Sequence, residues 1–224
     1  MFSFGAIVLQ MHKFVWLILV SCLVAHRGNT QENWKLVTEQ AGIRVFMKSA
    51  EGASIKMLQV ECEIAATQDA IMALLMDIPA SEKWIPQTKT WRYLRPPTAT
   101  ECYYYSELDM PWPVSNRDYV VHLHAWQHPS TKVVTLDAVA VKGQVPENDG
   151  IIRVNNSTVK WVLFPPKNGR TKLVYQLFTD PGGSIPAAVV NYFAKQAAID
   201  IVEKMRALVQ KPPYRNANLD FIVK

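Results

Sequence analysis

The chain has 224 residues, of which 49% are hydrophobic, and its 24 Lys and Arg residues exceed its 19 Asp and Glu residues to give a formal net charge of +5. This length and apolar content supply the core of one sizeable domain or two small ones, and they exclude a largely disordered chain. The basic residues form no long block of like charge, so no nucleic-acid partner is predicted.

Residues 1–30 are predicted to be a signal peptide. Residues 11–25 contain a short basic start and an apolar run of about a dozen residues, which is too short to span a bilayer. The ten residues before Met11 are unusual in front of such a segment, so Met11 is an alternative start. Residues 19–22, LVSC, resemble a bacterial lipobox, which predicts acylation of Cys22; the alternative is an ordinary signal peptide cleaved after about Thr30. Both alternatives predict export, as a periplasmic protein or a membrane-anchored lipoprotein.

The next segments predict strands and one capped helix. Residues 34–49 are predicted to form a short helix or turn and then a strand. Residues 58–64 alternate between apolar and polar side chains, the pattern of a half-buried strand. Thr67 is the predicted cap of a helix over residues 68–78, which Pro79 is predicted to end.

β patterns then dominate for roughly ninety residues and predict a long antiparallel meander. The predicted strands cover residues 90–95, 101–108, 117–126, 132–141, 150–154, 158–164 and 171–178, with a tight turn at residues 165–170.

The C-terminal region is predicted to be a turn followed by a long helix. Gly182 supplies the positive φ of a type II turn. Pro186 lies early in the helix and Pro212 lies beyond its end. Apolar residues at helical spacing predict a wide buried stripe, which includes Val189, Phe193, Ala197, Ile201, Met205 and Leu208.

The segment MPWPVSNRD, residues 110–118, places Trp112 between two prolines, which favours a rigid crossing between strands. Arg117 and Asp118 follow at the start of a strand, where adjacent side chains point to opposite faces. The two side chains therefore do not form a facing acid–base pair. We interpret them as structural residues that tie down a neighbouring loop.

No pattern in the sequence predicts catalysis or metal binding. Cys62 and Cys102 lack a recognisable spacing, so two buried free thiols are predicted, with a disulfide as the alternative. His122 and His124 share one strand face, but that face is predicted to meet solvent. A serine elbow, a phosphate loop and an HExxH motif are all missing from the sequence, so neither a cofactor nor a metal is predicted.

Several blocks carry a resemblance to a known family, in the same order and at similar distances. They are WKLV with GIRVF, the helix ending LLMDI, the segment YYYSELDMPWPVSNRDYVV, and the stretch from GIIRV to DPGGSIPAAVVN. The sequence resembles the START domain, the steroidogenic acute regulatory-related lipid transfer fold, in an exported bacterial form. The structural motif residues are Trp112, Arg117, Asp118, Asp180, Pro181, Gly182, Gly183 and Asn191.

The resemblance implies an α+β helix-grip fold over residues 31–212, in which a curved antiparallel sheet wraps a long C-terminal helix, with a tail at residues 213–224. The space between sheet and helix is then a tunnel for one hydrophobic molecule, and the apolar strand faces agree with this expectation. The predicted lipid-binding residues are Leu58, Val60, Tyr119, Val121, Leu123, Trp161, Tyr175, Leu177, Val189, Phe193, Ile201 and Met205.

One position departs from the steroidogenic branch of the family, which carries a buried arginine six residues after the motif arginine. Leu123 stands at that position here, so a sterol is less well supported as the ligand than acyl chains or another hydrophobe. Gly182 and Gly183 are predicted hinges that let the C-terminal helix gate the tunnel.

The predicted function is the binding, and by extension the transfer, of one lipid at a membrane surface. Two alternatives remain open from the sequence. One is a helix-grip enzyme, a cyclase or hydrolase acting on a hydrophobic substrate, and the other is a sensor whose occupied tunnel changes its binding to a protein partner. The oligomeric state is also left open.

Overall fold

The computed structural model of the protein describes residues 34–224. The predicted signal peptide, with Met11 and Cys22, lies outside the described residues. Within residues 34–224, no helix is both long enough and apolar enough to cross a membrane.

The described fold is built from ten strands and two α-helices. The strands are β1 (Lys35–Gln40), β2 (Ile43–Ser49), β3 (Lys56–Ile64), β4 (Thr88–Tyr93), β5 (Glu101–Leu108), β6 (Arg117–Gln127), β7 (Val134–Ala140), β8 (Ile152–Arg153), β9 (Asn156–Leu163) and β10 (Thr171–Asp180). The helices are α1 (Gln68–Met76) and α2 (Ala187–Leu208), and short 3₁₀ helices lie at Ile78–Lys83 and Tyr214–Asn216.

All ten strands belong to one sheet, whose order is β1-β2-β3-β10-β9-β7-β6-β5-β4, with β8 paired in parallel to β6. The predicted meander is confirmed along β4, β5, β6, β7, β9 and β10, where chain neighbours or near neighbours pair. The antiparallel pairing of β10 with β3 then joins this meander to the N-terminal strands. The predicted α+β class is confirmed.

The inner face of the sheet is built from side chains in register on adjacent strands. Because side chains alternate along a strand, each cross-strand row of partners lies wholly on one face. The central inner row is fully buried and runs through Val45, Val60, Tyr175, Trp161, Leu136 and Ala125. This row forms the middle of the hydrophobic core.

The first strand differs from the prediction of a short helix or turn before residue 43. Residues Lys35–Gln40 form β1, which pairs with β2 through a bulge between Leu36 and Thr38. β1 is a mostly exposed edge strand, so its side chains show no buried alternation that a sequence pattern could reveal. The pairing partner, and not the local sequence, determines its conformation.

Helix α1 begins as predicted, because the hydroxyl of Thr67 accepts a hydrogen bond from the amide of Ala70 at 3.2 Å. It ends at Met76, two residues before the predicted end, and Asp77 then caps the separate 3₁₀ helix that contains Pro79. The side-chain amide of Gln68 donates to the carbonyls of Lys132 and Leu163 at 2.9 Å each. These bonds fix α1 to the ends of β7 and β9.

Helix α2 is packed unevenly along its length. Its second half buries Ala198, Ile199, Ile201, Val202 and Met205, whereas its first half, residues 187–197, contains no buried residue. Val189 and Phe193 were predicted to face the interior, but they are 41% and 59% exposed. A helical period predicts which residues share a face, but it does not predict how far the sheet extends beneath that face.

Residues 213–224, separated as a tail in the sequence prediction, pack against the domain. Tyr214 and Ile222 are buried, and the Tyr214 hydroxyl donates to the carboxylate of Asp77 at 2.8 Å. The amide of Leu219 donates to Asp69 of α1 at 2.9 Å. These contacts attach the C-terminal segment to both ends of α1.

Candidate functional site

The sheet and helix α2 bring most of the predicted lipid-binding residues together in the core. The buried ones are Leu58, Val60, Val121, Leu123, Trp161, Tyr175, Ile201 and Met205, and Tyr119 and Leu177 are partly buried against them. Val189 and Phe193 lie on the exposed first half of α2 and are not part of this group. The grouping follows from strand register, since Leu58 pairs with Leu177 and Val60 with Tyr175.

Aromatic rings form two groups in this interior. The Trp161 and Tyr175 rings stack with centroids 4.0 Å apart, and the Trp84 ring meets Trp161 edge-on at 6.4 Å. Farther along the same inner face, on β4 and β5, the Trp91 ring lies 5.1 Å from the Tyr104 ring. We call Trp84, Trp91, Tyr104, Tyr119, Trp161 and Tyr175 the interior aromatic cluster.

Sequence reasoning missed Trp84, Trp91 and Tyr104 as members of this cluster. Tyr104 had a usable signal, because its strand pairs with β6 and places it opposite Val121, a predicted interior residue. Trp84 follows a 3₁₀ helix, which no hydrophobic periodicity in the sequence predicts. Its contact with Trp161 arises only in the folded chain.

The tyrosines of the cluster carry neutral hydroxyls at physiological pH. Burial raises the pKa of Tyr119 to about 12, and nearby Arg117 opposes that shift. Burial also raises the pKa of Tyr104 and of Tyr175 well above the ordinary tyrosine value. A neutral phenol can both donate and accept a hydrogen bond, so these groups can bind polar atoms of a ligand.

Arg117 joins two loops at one end of the interior. Its Nε donates to the carbonyl of Pro181 at 3.3 Å, its Nη2 donates to the carbonyl of Gly182 at 3.1 Å, and its Nη1 donates to the carbonyl of Ser115. Arg117 is buried, which lowers its pKa. The residue therefore ties the β5–β6 loop to the turn that precedes α2, the contact expected of a residue that holds a neighbouring loop.

Asp118 points to the opposite face and forms a second tie. Arg153 donates from Nε to Oδ1 of Asp118 at 2.7 Å and from Nη2 to Oδ2 at 2.9 Å. Arg153 also donates to the carbonyls of Val145 and Pro146 at 3.0 Å each. The Arg153 and Asp118 side chains are 4% and 1% exposed, so the pair is a buried anchor for the β7–β8 loop.

The turn before α2 contains the other motif residues. Gly182 and Gly183 have φ of +64° and +70°, and Asp180 accepts a hydrogen bond from the Gly182 amide at 3.0 Å. On α2, the side-chain oxygen of Asn191 accepts from the amide of Lys56 at 3.0 Å, which links the helix to the start of β3. Trp112, at the tip of the β5–β6 loop, is 92% exposed.

Other reactive groups lie away from the interior or are protonated. Cys62 and Cys102 are buried and free, and burial raises the pKa of each thiol to about 11. His122 lies on the outer face, where it contacts Glu101 at 2.7 Å and stacks on Tyr103. Among residues 34–224, no group of three or more His, Cys, Asp or Glu side chains could hold a metal ion.

A curved antiparallel sheet packed against a long C-terminal helix defines the helix-grip fold. The START domain family model matches residues 15–215, so the chain belongs to the START domain family. The START family and the helix-grip fold predicted from the sequence are confirmed, and export of a bacterial form stays a prediction.

Individual relatives give the same picture. An uncharacterized protein of Pseudomonas aeruginosa is 32% identical over 201 residues, which cover 87% of this chain and 96% of that protein. The phosphatidylcholine transfer protein of Bos taurus is 27% identical over 180 residues, which cover 77% of this chain and 82% of that protein. The crystal structure of a STAR-related lipid transfer protein from Xanthomonas axonopodis superposes with a TM-score of 0.73 and 28% identity, and it covers 80% of this chain and 99% of that one.

Proposed function

We propose that the protein binds one lipid between the sheet and helix α2 and transfers it between membranes without catalysing a reaction. The observation that carries this proposal is the contrast between the two halves of α2, one with five buried residues and one with none, above an apolar and aromatic inner face. Two relatives are named as lipid transfer proteins, which supports the same function.

The energetics explain why such a carrier is useful. An acyl chain of ~18 CH₂ groups costs roughly 14 kcal/mol to bring into water, at about 0.8 kcal/mol per group. A membrane and an apolar protein interior are both good solvents for the chain, so the net affinity between them is small. The carrier removes the aqueous barrier while its polar interior groups select the lipid.

We propose that the first half of α2 and its preceding turn move when a lipid enters. The helix is fixed at its C-terminal end by Val202 and Met205, which are fully buried. At its N-terminal end, Gly182 and Gly183 provide backbone freedom, and Arg117 restrains the turn through carbonyl oxygens. Opening therefore requires loss of a few hydrogen bonds and leaves the core intact.

The same end of the domain carries the exposed apolar side chains suited to a membrane surface. Trp112 is 92% exposed on the β5–β6 loop, and Val189, Tyr192 and Phe193 are 41%, 55% and 59% exposed on the first half of α2. Arg117 links the two segments that carry them. Aromatic residues in such positions favour the membrane interface, so we propose that this surface contacts the donor and acceptor membranes.

The location of the protein is a separate proposal. A signal peptide over residues 1–30 would export the domain, and acylation of Cys22 would hold it at a membrane, where it would deliver lipid over a short range. Replacing Cys22 with Ala and fractionating the cells tests the anchor, since the variant should become soluble. A wild-type protein found soluble with a mature end near residue 31 would contradict acylation, and an uncleaved cytoplasmic protein would contradict export.

Native mass spectrometry of the purified domain, after incubation with vesicles of a total lipid extract, tests binding. We expect one lipid per domain. A domain that remains empty would contradict the proposed function.

The gating step is tested by fixing α2 to the sheet. The Lys56→Cys and Asn191→Cys pair, joined by a short reducible thiol cross-linker, fastens the first half of α2 to β3, because these positions are already in contact. Cys62 and Cys102 should not react with the cross-linker, because burial raises the pKa of each thiol to about 11 and keeps it protonated. Cross-linking should slow lipid loading at least ~10-fold, and reduction of the same sample should restore it. Equal loading rates in the two states would contradict gating by α2.

A further inference from the structure

Two buried indole groups in the interior aromatic cluster have no hydrogen-bond acceptor. The Nε1 atoms of Trp84 and Trp91 are inaccessible to solvent, and neither donates to any atom of residues 34–224. Trp84 as a whole is 4% exposed. Buried donors are nearly always paired in native proteins, because an unpaired one loses its hydration without compensation. An acceptor from outside the described protein atoms is therefore expected at this place.

The unpaired donors belong to the same interior region as three tyrosine hydroxyls. Trp84 contacts Trp161, which stacks on Tyr175, and Trp91 contacts Tyr104. Tyr104 on β5 and Tyr175 on β10 are separated by β6, β7 and β9, about 19 Å across a flat sheet. Nevertheless, Tyr175 contributes to the raised pKa of Tyr104, and Tyr119 contributes to that of both. Tyr104 is paired with Val121 and Tyr175 with Val60, so these tyrosine side chains lie on the same inner face of the curved sheet.

The buried charged side chains, on both faces of the sheet, are already neutralised by protein groups. The charged residues that are buried as whole residues within residues 34–224 are Asp69, Glu107, Arg117 and Asp118, and the Arg153 side chain is buried with Asp118. Glu107 and Asp118 pair with a lysine and an arginine, and Asp69 accepts from a backbone amide. Arg117 donates from all three of its nitrogen atoms to backbone carbonyls. A charged headgroup brought against the cluster would therefore have to displace existing partners.

We propose that the interior aromatic cluster selects an uncharged lipid whose polar end carries carbonyl or hydroxyl oxygens, such as an acylglycerol. The indole N–H groups of Trp84 and Trp91 donate to these oxygens, and the hydroxyls of Tyr104, Tyr119 and Tyr175 complete the site. This inference rests on the proposed lipid-binding function and names the class of lipid.

The chemistry of the cluster disfavours the two other classes of hydrophobic ligand. A phosphate or ammonium group would be desolvated without an unpaired counter-ion, which is the costliest form of burial. A pure hydrocarbon would fill the space but would leave both indole donors unpaired. Of these three ligand classes, the one with neutral oxygen acceptors satisfies the donors without burying a charge.

A competition experiment tests the lipid class directly. Vesicles containing equal amounts of dioleoylglycerol, dioleoylphosphatidylcholine, dioleoylphosphatidylglycerol and squalene are incubated with the protein, and native mass spectrometry identifies what is bound. We expect dioleoylglycerol to exceed each other component at least ~10-fold. Preferential binding of either phospholipid or of squalene would overturn the inference and leave the proposed function standing. Uptake of none of the four would contradict the proposed function as well.

Variants that remove one hydroxyl and keep the ring test the assigned residues. Tyr104→Phe and Tyr175→Phe should each weaken dioleoylglycerol binding about 3- to 10-fold and leave squalene uptake unchanged, since only the oxygen-bearing lipid uses the hydroxyl. The matched control is Tyr103→Phe, which alters the adjacent residue on the outer face, stacked on His122. Equal effects of the inner and outer variants would overturn the residue assignment. If an inner variant fails to fold, as judged by circular dichroism, the four-lipid competition with wild-type protein decides.

Discussion

Replacement of Asp118 by Asn should destabilise the domain more than any loss of a surface ion pair. The carboxylate receives two hydrogen bonds from Arg153, at 2.7 and 2.9 Å, and both side chains are almost completely buried. In the variant, an amide group replaces one oxygen and faces a guanidinium donor, and the arginine charge stays buried without its partner. Removal of one member of such a pair costs about 3–5 kcal/mol of unfolding free energy.

Urea denaturation followed by far-ultraviolet circular dichroism measures this loss. With a denaturant slope of about 2 kcal/mol per molar urea, the transition midpoint should fall by about 2 M. The matched control is Asp137→Asn, which breaks an outer-face pair with Lys160 at 3.6 Å between half-exposed side chains. That change should cost about 0.5 kcal/mol or less, because exposed ion pairs contribute little.

A double-mutant cycle distinguishes pairing from simple burial. The double variant Asp118→Asn with Arg153→Met removes the unpaired charge, so it should be more stable than the sum of the single losses predicts. Additive losses, or a single Asp118→Asn variant as stable as the Asp137→Asn control, would refute the reasoning that this pair is the anchor of the β7–β8 loop.

Three further predictions follow from the same structure. A hydrogen bond from Lys89 lowers the pKa of Glu107, so the ionised carboxylate stabilises the fold above about pH 4.5 and this stabilisation is lost as the pH falls. The Glu107→Gln variant should therefore lose less unfolding free energy than the wild type between about pH 5 and about pH 3, as measured by acid titration. Deletion of residues 213–224 removes the buried Tyr214 and Ile222 and should cost about 3 kcal/mol in urea denaturation, whereas an unchanged midpoint would show that the segment is dispensable. Gly183→Ala should destabilise the domain more than Gly143→Ala. Both glycines have positive φ, but only a Cβ at position 183 would lie 3.2 Å from the Arg117 side chain, and equal thermal midpoints of the two variants would contradict this.

The sequence predicted the central and C-terminal strands well because their local patterns and their tertiary roles agree. β5 was predicted with the bounds that the structure shows, and β10 with the correct start at Thr171. The register of β10 against β3 was not predictable in this way, since Thr171 and Ile64 pair across more than a hundred residues of chain. β1 was missed for the related reason that its conformation depends on pairing with β2.

The candidate site was predicted in outline and missed in detail. Residues such as Val60 and Tyr175 alternate along their strands, so their inward orientation follows from period two. Val189 and Phe193 share the apolar face of α2, but their exposure depends on how far the sheet reaches beneath the helix. The unpaired indoles of Trp84 and Trp91 are a property of three-dimensional surroundings, and no sequence pattern records them.

The pairing of β3 with β10 has a consequence for biosynthesis. β3 is complete at Ile64, but its second partner begins only at Thr171, so the growing chain carries an open strand edge through most of translation. The two parts of the sheet cannot join until β10 has left the ribosome, and helix α2, which follows β10 in the chain, cannot pack before then. A nascent chain that stays unfolded until nearly all of it has been made is in the state that a translocation channel accepts, so the topology is compatible with the proposed export of the domain.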